Sequence, residues 1–417
     1  MQIAFPAVVC ALALPLGAQQ VFIVDQAGGP GVYTGVQAAL DAGADDGDVI
    51  LVREGGYAAF AIDGQGVSVV ADTGATPIFV GSVDSLGDPC VPITGLDADD
   101  VVVLRGLEFD QFIPLGIPGT LVEVSGGGTV LLEECILKDG RPCLRAGPGT
   151  NVALERCTLE GLAGVYATFF FSYGPGAGIV VEGEVALHGS SAQGGKGNDG
   201  FYDGLHSFPA QAGEDAVRIS GAGALFLADS ELLGGTGGDG YTEFECKPPG
   251  TGGAGLHLAA GAPVARLAGA TLTGGLAGAP FGFCPPGASG PALLHEAGTV
   301  EDLGAPGPRL AVDGVAREGQ TLLGTIAGEP GALALLAAGA PLLEYLPSVQ
   351  GALLVFPQQV FALGTIPPSG VLNLSAPVGE LGAGVSAVQV MLQGAACGTA
   401  GCVLGAGSHT VLLDAAF

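Results

Sequence analysis

The sequence predicts an all-β chain: a β-solenoid with a short helical cap at its N-terminal end, followed by a smaller β-sandwich-like unit. Three observations carry this reading. Six segments overlay, namely VVVLRGLEF from Val101, VLLEECILK from Val130, VALERCTLE from Val152, VALHGSSAQ from Val185, LFLADSELL from Leu225 and ARLAGATLT from Ala265. Aligned so, they set Gly106, Cys135, Cys157, Ser190, Ser230 and Ala270 in one column. A strand-like period of two inside a repeat of roughly 20–40 residues marks a solenoid. The second observation is composition. Of 417 residues 76 are Gly, Trp is absent and 13% are charged, which suits many short strands and tight turns. No strict Gly-X-Y period runs through the chain, which excludes collagen, and alternating apolar residues exclude disorder. The third is a change of pattern near residue 306. Beyond it LLGTIAG, GALALLAA, GALLVFP, VFALGTIPPSG, AVQVMLQ and HTVLLD read as strands between Gly and Pro turns.

In chain order, residues 1–18 read as a secretory signal. Ile3 to Leu16 is apolar, and Leu16-Gly17-Ala18 offers a cleavage site before Gln19. The segment departs from the usual pattern in having no basic residue ahead of it. It is too short to span a bilayer, and no later run reaches about 18 apolar residues. A secreted or cell-surface protein with no membrane span follows. The next unit, 19–305, begins with a cap at residues 21–59. VFIV is a strand, Thr34 and Gln37 form a capping box for a helix to about Ala42, and VILVR is the next strand. A helix there covers strand edges and core that a solenoid end leaves open.

The run GVYTGVQAALDAGADDGDVILVREGGY resembles the N-terminal module of right-handed parallel β-helix proteins of the pectin lyase-like superfamily. The resemblance covers about residues 21–305. It implies a right-handed parallel β-helix, and an activity within a range of polysaccharide lyases, polygalacturonases, phage tailspikes and binding proteins without catalysis. Residues 306–417 resemble the C-terminal all-β modules of bacterial secreted proteins.

Within each rung a first stretch turns Val91/Ile93, Val122/Val124, Leu144/Ala146, Ile179/Val181, Val217/Ile219 and Leu256/Leu258 inward. A second turns pairs such as Val152/Leu154 inward, and a third follows a bend. Each inward aliphatic contributes roughly 1.5–3 kcal/mol on burial. The column spacing grows from 22 residues (Cys135 to Cys157) to 33 and then 40, through Gly-rich insertions around 161–177, 193–214, 235–254 and 275–290. These carry many of the aromatics, among them Tyr166, Phe201, Tyr202, Tyr241, Phe281 and Phe283.

The net charge of −29 excludes nucleic acid, since no basic patch is present to neutralise phosphates. A polysaccharide or cell-surface glycan fits better. The exposed middle positions of the first stretch are Glu123, Arg145, Val180, Arg218 and His257, beside loops carrying Asp199, Asp203, His206, Glu214, Asp215 and Asp239. Arg145, Arg218 and His257 are the catalytic candidates: an arginine base with an acidified α-proton suits β-elimination, and paired carboxylates suit glycoside hydrolysis. The set is sparse, Val180 interrupts it, and a solvated face with local ion pairs is the plainer account of it. Tyr166, Asp203, His206 and Tyr241 are the ligand-binding candidates. Asp199, Asp203 and Asp239, within Gly-Asn-Asp-Gly and Gly-Gly-Asp-Gly, offer hard oxygens to calcium, and turn formation explains the same residues. The leading function is an exported glycan-binding β-helix. The alternatives are a lyase or hydrolase of uronate-containing polysaccharide, and a structural surface protein.

The leader removes Cys10 of nine cysteines, leaving an even number. Cys246 and Cys284 precede Pro-Pro-Gly contexts in consecutive insertions and pair best. Cys397 and Cys402 bracket Gly-Thr-Ala-Gly on a hairpin. Cys135 and Cys157, about 4.8 Å apart on adjacent rungs, suit either a bond or two buried thiols.

Overall fold

The structure is a computed structural model. It describes residues 2–4, 19–81, 88–111, 118–168, 171–202, 207–242, 246–346, 349–399 and 401–417, with the backbone alone at 2–4, 166–168, 171–172 and 207. The expected leader lies outside these except for Gln2–Ala4, which pairs in parallel with Asn373–Ser375.

Residues 21–304 coil as a right-handed parallel β-helix of three sheets, one of eleven strands and two of eight. The eleven-stranded sheet includes Val49–Val52, Val101–Arg105, Thr129–Glu133, Asn151–Glu155, Glu184–His188, Ala224–Ala228 and Val264–Ala268. One eight-stranded sheet, here the ladder sheet, holds Val122–Gly126, Leu144–Ala146, Ile179–Val181, Val217–Gly221, Leu256–Gly261 and Leu293–His295. The other holds Glu108–Asp110, Ile136–Gly140, Thr158–Gly161 and their successors. All the inward pairs expected of the first stretch lie in one continuous core, with Leu137, Leu159 and Leu232 from the third sheet.

Register corrects one element of the alignment. Val130 pairs with Val102, not Val101. The inward column therefore begins at Leu107, and Gly106 belongs to the bend one residue earlier. That bend needs left-handed backbone: φ is 69° at Gly106, 54° at Glu134, 56° at Arg156 and 52° at Asp229. Gly meets the requirement without strain, and the three charged residues meet it at some cost.

The cap helix spans Val36–Asp41 and buries Val36, Ala39 and Leu40. Its N-cap is Gly35, with no side-chain cap, so the expected Thr34–Gln37 box does not form. Gln37 instead donates to Asp41 Oδ1 at 2.9 Å and accepts from the Ala61 N–H at 2.8 Å, tying the helix to the first rung.

After residue 308 two antiparallel sheets face each other. Arg309–Val312, Thr321–Ala327 and Val371–Pro377 form one; Leu333–Tyr345, Ala352–Thr365, Ala387–Gly398 and Gly401–Leu413 form the other, with Val315–Arg317 in parallel at its edge. Leu310, Ile326, Leu336, Leu372, Val390 and Leu412 fill the space between them. The second sheet lies on the β-helix. Leu343, Leu354, Val355 and Met391 cover Val103, Leu131, Ala153, Ala186 and Phe226, the outward residues of the eleven-stranded sheet. Strands buried on both faces are apolar throughout, which is why VVVLR and TVLLE show no polar alternation.

The four Gly-rich insertions are ordered arrays. Residues 194–200, 211–215, 234–240, 248–254, 274–280 and 286–290 are neither helix nor strand, yet their N–H groups bond to neighbouring segments. Gly195 donates to Gly176, Gly235 to Glu214, Gly253 to Gly235, Gly275 to Gly253 and Gly290 to Gly275, each at 2.8 Å. Extended segments bonded between rather than within chains, with Gly recurring at every third residue, pack like a stack of polyproline-II-type helices. A Cβ on Gly235 would lie 2.1 Å from Gly195 O, and one on Gly238 would lie 1.8 Å from Asn198 O. No side chain fits at either position.

Candidate functional site

The ladder sheet aligns one outward-facing residue per rung. Pairing runs Pro92–Glu123, Glu123–Arg145, Arg145–Val180, Val180–Arg218, Arg218–His257 and His257–Leu294. Strand alternation forces this: the flanking residues of each strand are core, so the middle one points out. The stacked insertions flank the face, because each enters between the third sheet and the ladder sheet.

At its far end four charged or titratable groups converge. Asp215, two residues before Val217–Gly221, is nearly buried. Its Oδ1 accepts the Ala254 N–H at 2.9 Å, and its Oδ2 lies 2.7 Å from His257 Nδ1. Arg218 Nε stands 3.4 Å from the same Oδ2 and 3.4 Å from His257 Nδ1. His257 Nε2 lies 3.4 Å from Glu296 Oε1. The side chain of His257 is only 8% exposed, against 47% for Arg218 and 54% for Glu296. A carboxylate only accepts, so Nδ1 of His257 gives its proton to Asp215 at 2.7 Å and cannot also accept from Arg218; the charge of Asp215, 3.4 Å from Nε, is what holds the guanidinium. Both of these contacts of Arg218 use Nε, and its side chain is 47% exposed. Beside them, burial raises the Glu214 carboxyl, while the Arg218 charge lowers it and the Asp215 charge raises it further.

Two of the three catalytic candidates, Arg218 and His257, therefore meet. Arg145 stays apart, separated on the ladder by Val180. Glu296 was not singled out from the sequence. It follows a short strand at the end of the repeat, where no further rung repeats its position. Asp215 was legible only as one of many loop acids.

The insertions end in small tips. Phe201–Tyr202 pairs with Ser207–Phe208, and the rings of Phe201 and Phe208 stack at 4.7 Å. Tyr241–Thr242 pairs with Cys246–Lys247, and the Tyr241 and Phe281 rings stack at 6.2 Å. Cys246 is bonded to Cys284, 38 residues on, which ties two successive tips together. Phe281 is 55% exposed and Phe283 76%. Tyr166 sits in the hairpin Val165–Thr168 with Phe171–Tyr173, known by its backbone. Asp203 and His206 lie outside the described residues.

Asp199 and Asp239 stack one above the other and cap the array. Asp199 Oδ1 accepts the Asp239 N–H, and Asp239 Oδ1 accepts the Ala279 N–H, each at 2.8 Å. Lys196 Nζ lies 2.8 Å from Asp199 and 3.7 Å from Asp239. Burial alone would raise the Asp199 carboxyl, but the Lys196 hydrogen bond, the Asp239 N–H and the Lys196 charge hold it below its ordinary value. An ammonium already supplies the cation that these two acids attract. Among the described residues no cluster of three or more metal-ligating side chains occurs.

Cys397 and Cys402 are bonded across a hairpin, while Cys90, Cys135, Cys143 and Cys157 are buried thiols. Cys135 and Cys157 each point the sulfur at a backbone carbonyl, Leu104 O at 3.2 Å and Leu132 O at 3.3 Å. Burial pushes Cys90 and Cys143 up to about 12. Among the described residues no helix is long and apolar enough to cross a membrane.

No protein-family model matches the chain, and no curated protein matches it. Among solved structures, the enzymatically active domain of tailspike protein 4 of bacteriophage CBA120 is similar, with a TM-score of 0.30 and 9% identity. The match covers 90% of this chain and 65% of the tailspike chain, so this chain spans less than two thirds of that domain's length.

Proposed function

We propose that this chain is an exported β-helix protein that binds an extended neutral or mildly basic glycan along the ladder sheet, without turning it over. One observation carries the reading: a half-exposed guanidinium held by the buried carboxylate of Asp215 stands on a parallel face, beside tips that present Phe281 and Phe283 to solvent. Arg218 offers hydroxyls a preorganised pair of donors. The rings of Phe281 and Phe283 offer exposed apolar faces for sugars to lie against. The net charge of −29 disfavours a polyanion that comes within the Debye length of about 8 Å.

The Asp215–His257 pair also favours a second reading, acid–base chemistry on a uronate-containing polymer. Against it, His257 is sheltered behind Glu296 and a base must reach its proton within about 2.6–3.2 Å. Within the first reading Asp215 is the positioning residue for Arg218, and His257 donates to Asp215.

The test is electrophoresis of the purified chain through gels cast with neutral, amino-sugar or uronate polysaccharides, alongside an assay for unsaturated uronate products. Retention is expected with a neutral or amino-sugar polymer. It should weaken about tenfold, or 1.4 kcal/mol, in Arg218→Ala and in the Phe281→Ala/Phe283→Ala double variant. Retention unchanged in both variants would overturn the binding site. Product formation abolished by His257→Ala would establish the second reading instead.

A further inference from the structure

Away from the ladder sheet, the smaller sheet of the C-terminal unit ends in the strand Val371–Pro377. This strand pairs with Thr321–Ala327 in antiparallel register with no bulge. The Gly328 N–H bonds to Gly370 O at 2.9 Å and the Val378 N–H to Gln320 O at 2.8 Å. Those two bonds set the phase, so the even-numbered residues of Val371–Pro377 bond to Thr321–Ala327. The backbone groups of Val371, Asn373 and Ser375 point the other way. A short strand of this chain already sits there, since Gln2–Ala4 runs parallel to Asn373–Ser375. It belongs to the expected leader, and removal of the leader bares the edge. A bare edge is a template for another strand, and proteins blunt it with charged side chains, proline or a bulge. Val371–Ala376 has none of these.

Charge selects what can cover the edge. From Tyr345 to Gly379 no residue is acidic or basic, and Thr321–Ala327 adds none, in a chain of net charge −29. Val371 and Leu323 are exposed on this sheet. Residues 366–370 join it to Ala352–Thr365, the edge strand of the other sheet, where Phe356 and Val360 are exposed. Two copies of an acidic chain repel over most of their surfaces and meet at least cost where neither carries charge. The edge also fits itself. Set antiparallel about a two-fold axis at Asn373, Val371 lies opposite the partner's Ser375 and Asn373 opposite the partner's Asn373. The outward backbone groups of one copy then meet those of the other, and Leu372 meets the partner's Leu374 on the core side. Centring the axis on Leu374 instead would set Val371 opposite the partner's Pro377, which has no N–H. We infer that, once the leader is gone, Val371–Pro377 pairs with the same strand of a second copy in this register, giving a two-fold dimer whose small sheets are continuous. The inference rests on the export reading through loss of the leader, and it is independent of the ladder sheet.

The test is sedimentation equilibrium of residues 19–417 and of the full chain 1–417 over one dilution series. Residues 19–417 are expected to dimerise and the full chain, its edge covered by Gln2–Ala4, to stay monomeric. Ser375→Pro removes an N–H that points away from Thr321–Ala327. Asn373→Glu sets two carboxylates face to face at an exposed position where the monomer tolerates them. Each should weaken the dimer at least about tenfold. Asn373→Cys should give a covalent dimer on oxidation, because directly opposed residues of a bonded pair lie about 5.5 Å apart, within reach of a disulfide. Val371→Cys should not, since it faces the partner's Ser375. Arg218→Ala should dimerise as the parent does, which separates this edge from the glycan site. Residues 19–417 that stay monomeric, a dimer that resists both Ser375→Pro and Asn373→Glu, or a full chain that dimerises equally well would each overturn the proposal.

Discussion

His409 shows how a single buried side chain sets a pH limit. Burial, and secondly the nearby Arg105 charge, lower its imidazole to about 3. In the unfolded chain it titrates near 6.5. Between these values the unfolded state binds a proton that the folded state does not, so stability falls as pH falls through that window, by about 1.4 kcal/mol per unit. Above 6.5 the group contributes no slope. Glu133 works in the opposite direction: burial raises its carboxyl, so acid protonates the folded form first and partly offsets the loss. Urea midpoints measured from pH 8 to 4 should decline from about 6.5 downward, and His409→Gln should flatten the decline. Asp215 gives a second residue-scale expectation. Asp215→Asn removes the charge that holds Arg218 and His257, so glycan retention should weaken while the thermal midpoint moves little. A large drop in midpoint with retention intact would contradict the positioning role.

At the scale of elements, the Gly-rich arrays behave as closely packed structure rather than loop. Gly235→Ala puts a methyl where only a carbonyl oxygen fits, and it should cost about 2–4 kcal/mol, read as a lower urea midpoint. The Cys246–Cys284 bond closes a loop of 38 residues. A chain-entropy estimate gives it at most about 4 kcal/mol. Replacing both cysteines with Ser should therefore lower the midpoint and loosen the tips, visible as faster proteolysis between residues 241 and 284. The pairing was readable from the repeated Pro-Pro-Gly context, because equivalent positions on stacked tiers must be neighbours. The arrays were not readable as such. Their Gly residues follow a local triplet, but only the stack of neighbours turns a flexible triplet into an ordered one.

For the whole molecule, the rungs were legible because each inward aliphatic repeats at strand period. The single slip came at Gly106: Val101, Val102 and Val103 are all apolar, so that rung can be aligned one residue early, which drops its bend residue into the core column. The relation of the two units was not legible. Apolar outward residues such as Val103, Leu131 and Phe226 have no period distinguishing core from interface, so the sequence alone allows two separate bodies. Their burial under Leu343, Leu354 and Met391 predicts that residues 19–305 alone should bind a hydrophobic dye and aggregate. A soluble, dye-free fragment would contradict that interface. At the site, Arg218 and His257 could be chosen from the register, but Asp215 and Glu296 come from a loop and a strand end, which no repeat aligns.

The tiers also set a rule of growth. Ser190 and Ser230 are joined across 40 residues, and the Asp199–Asp239 and Asp239–Ala279 bonds span the same 40. Each such unit carries one rung, one pair of glycine segments and one tip, in a fixed order. An in-frame duplication of that length therefore inserts a complete new storey and disturbs none of the others. The exposed face lengthens by about 4.8 Å per copy. Chain length in this architecture works as a ruler: relatives should differ in reach by whole multiples of one unit, and a designer can extend the binding face by copying it.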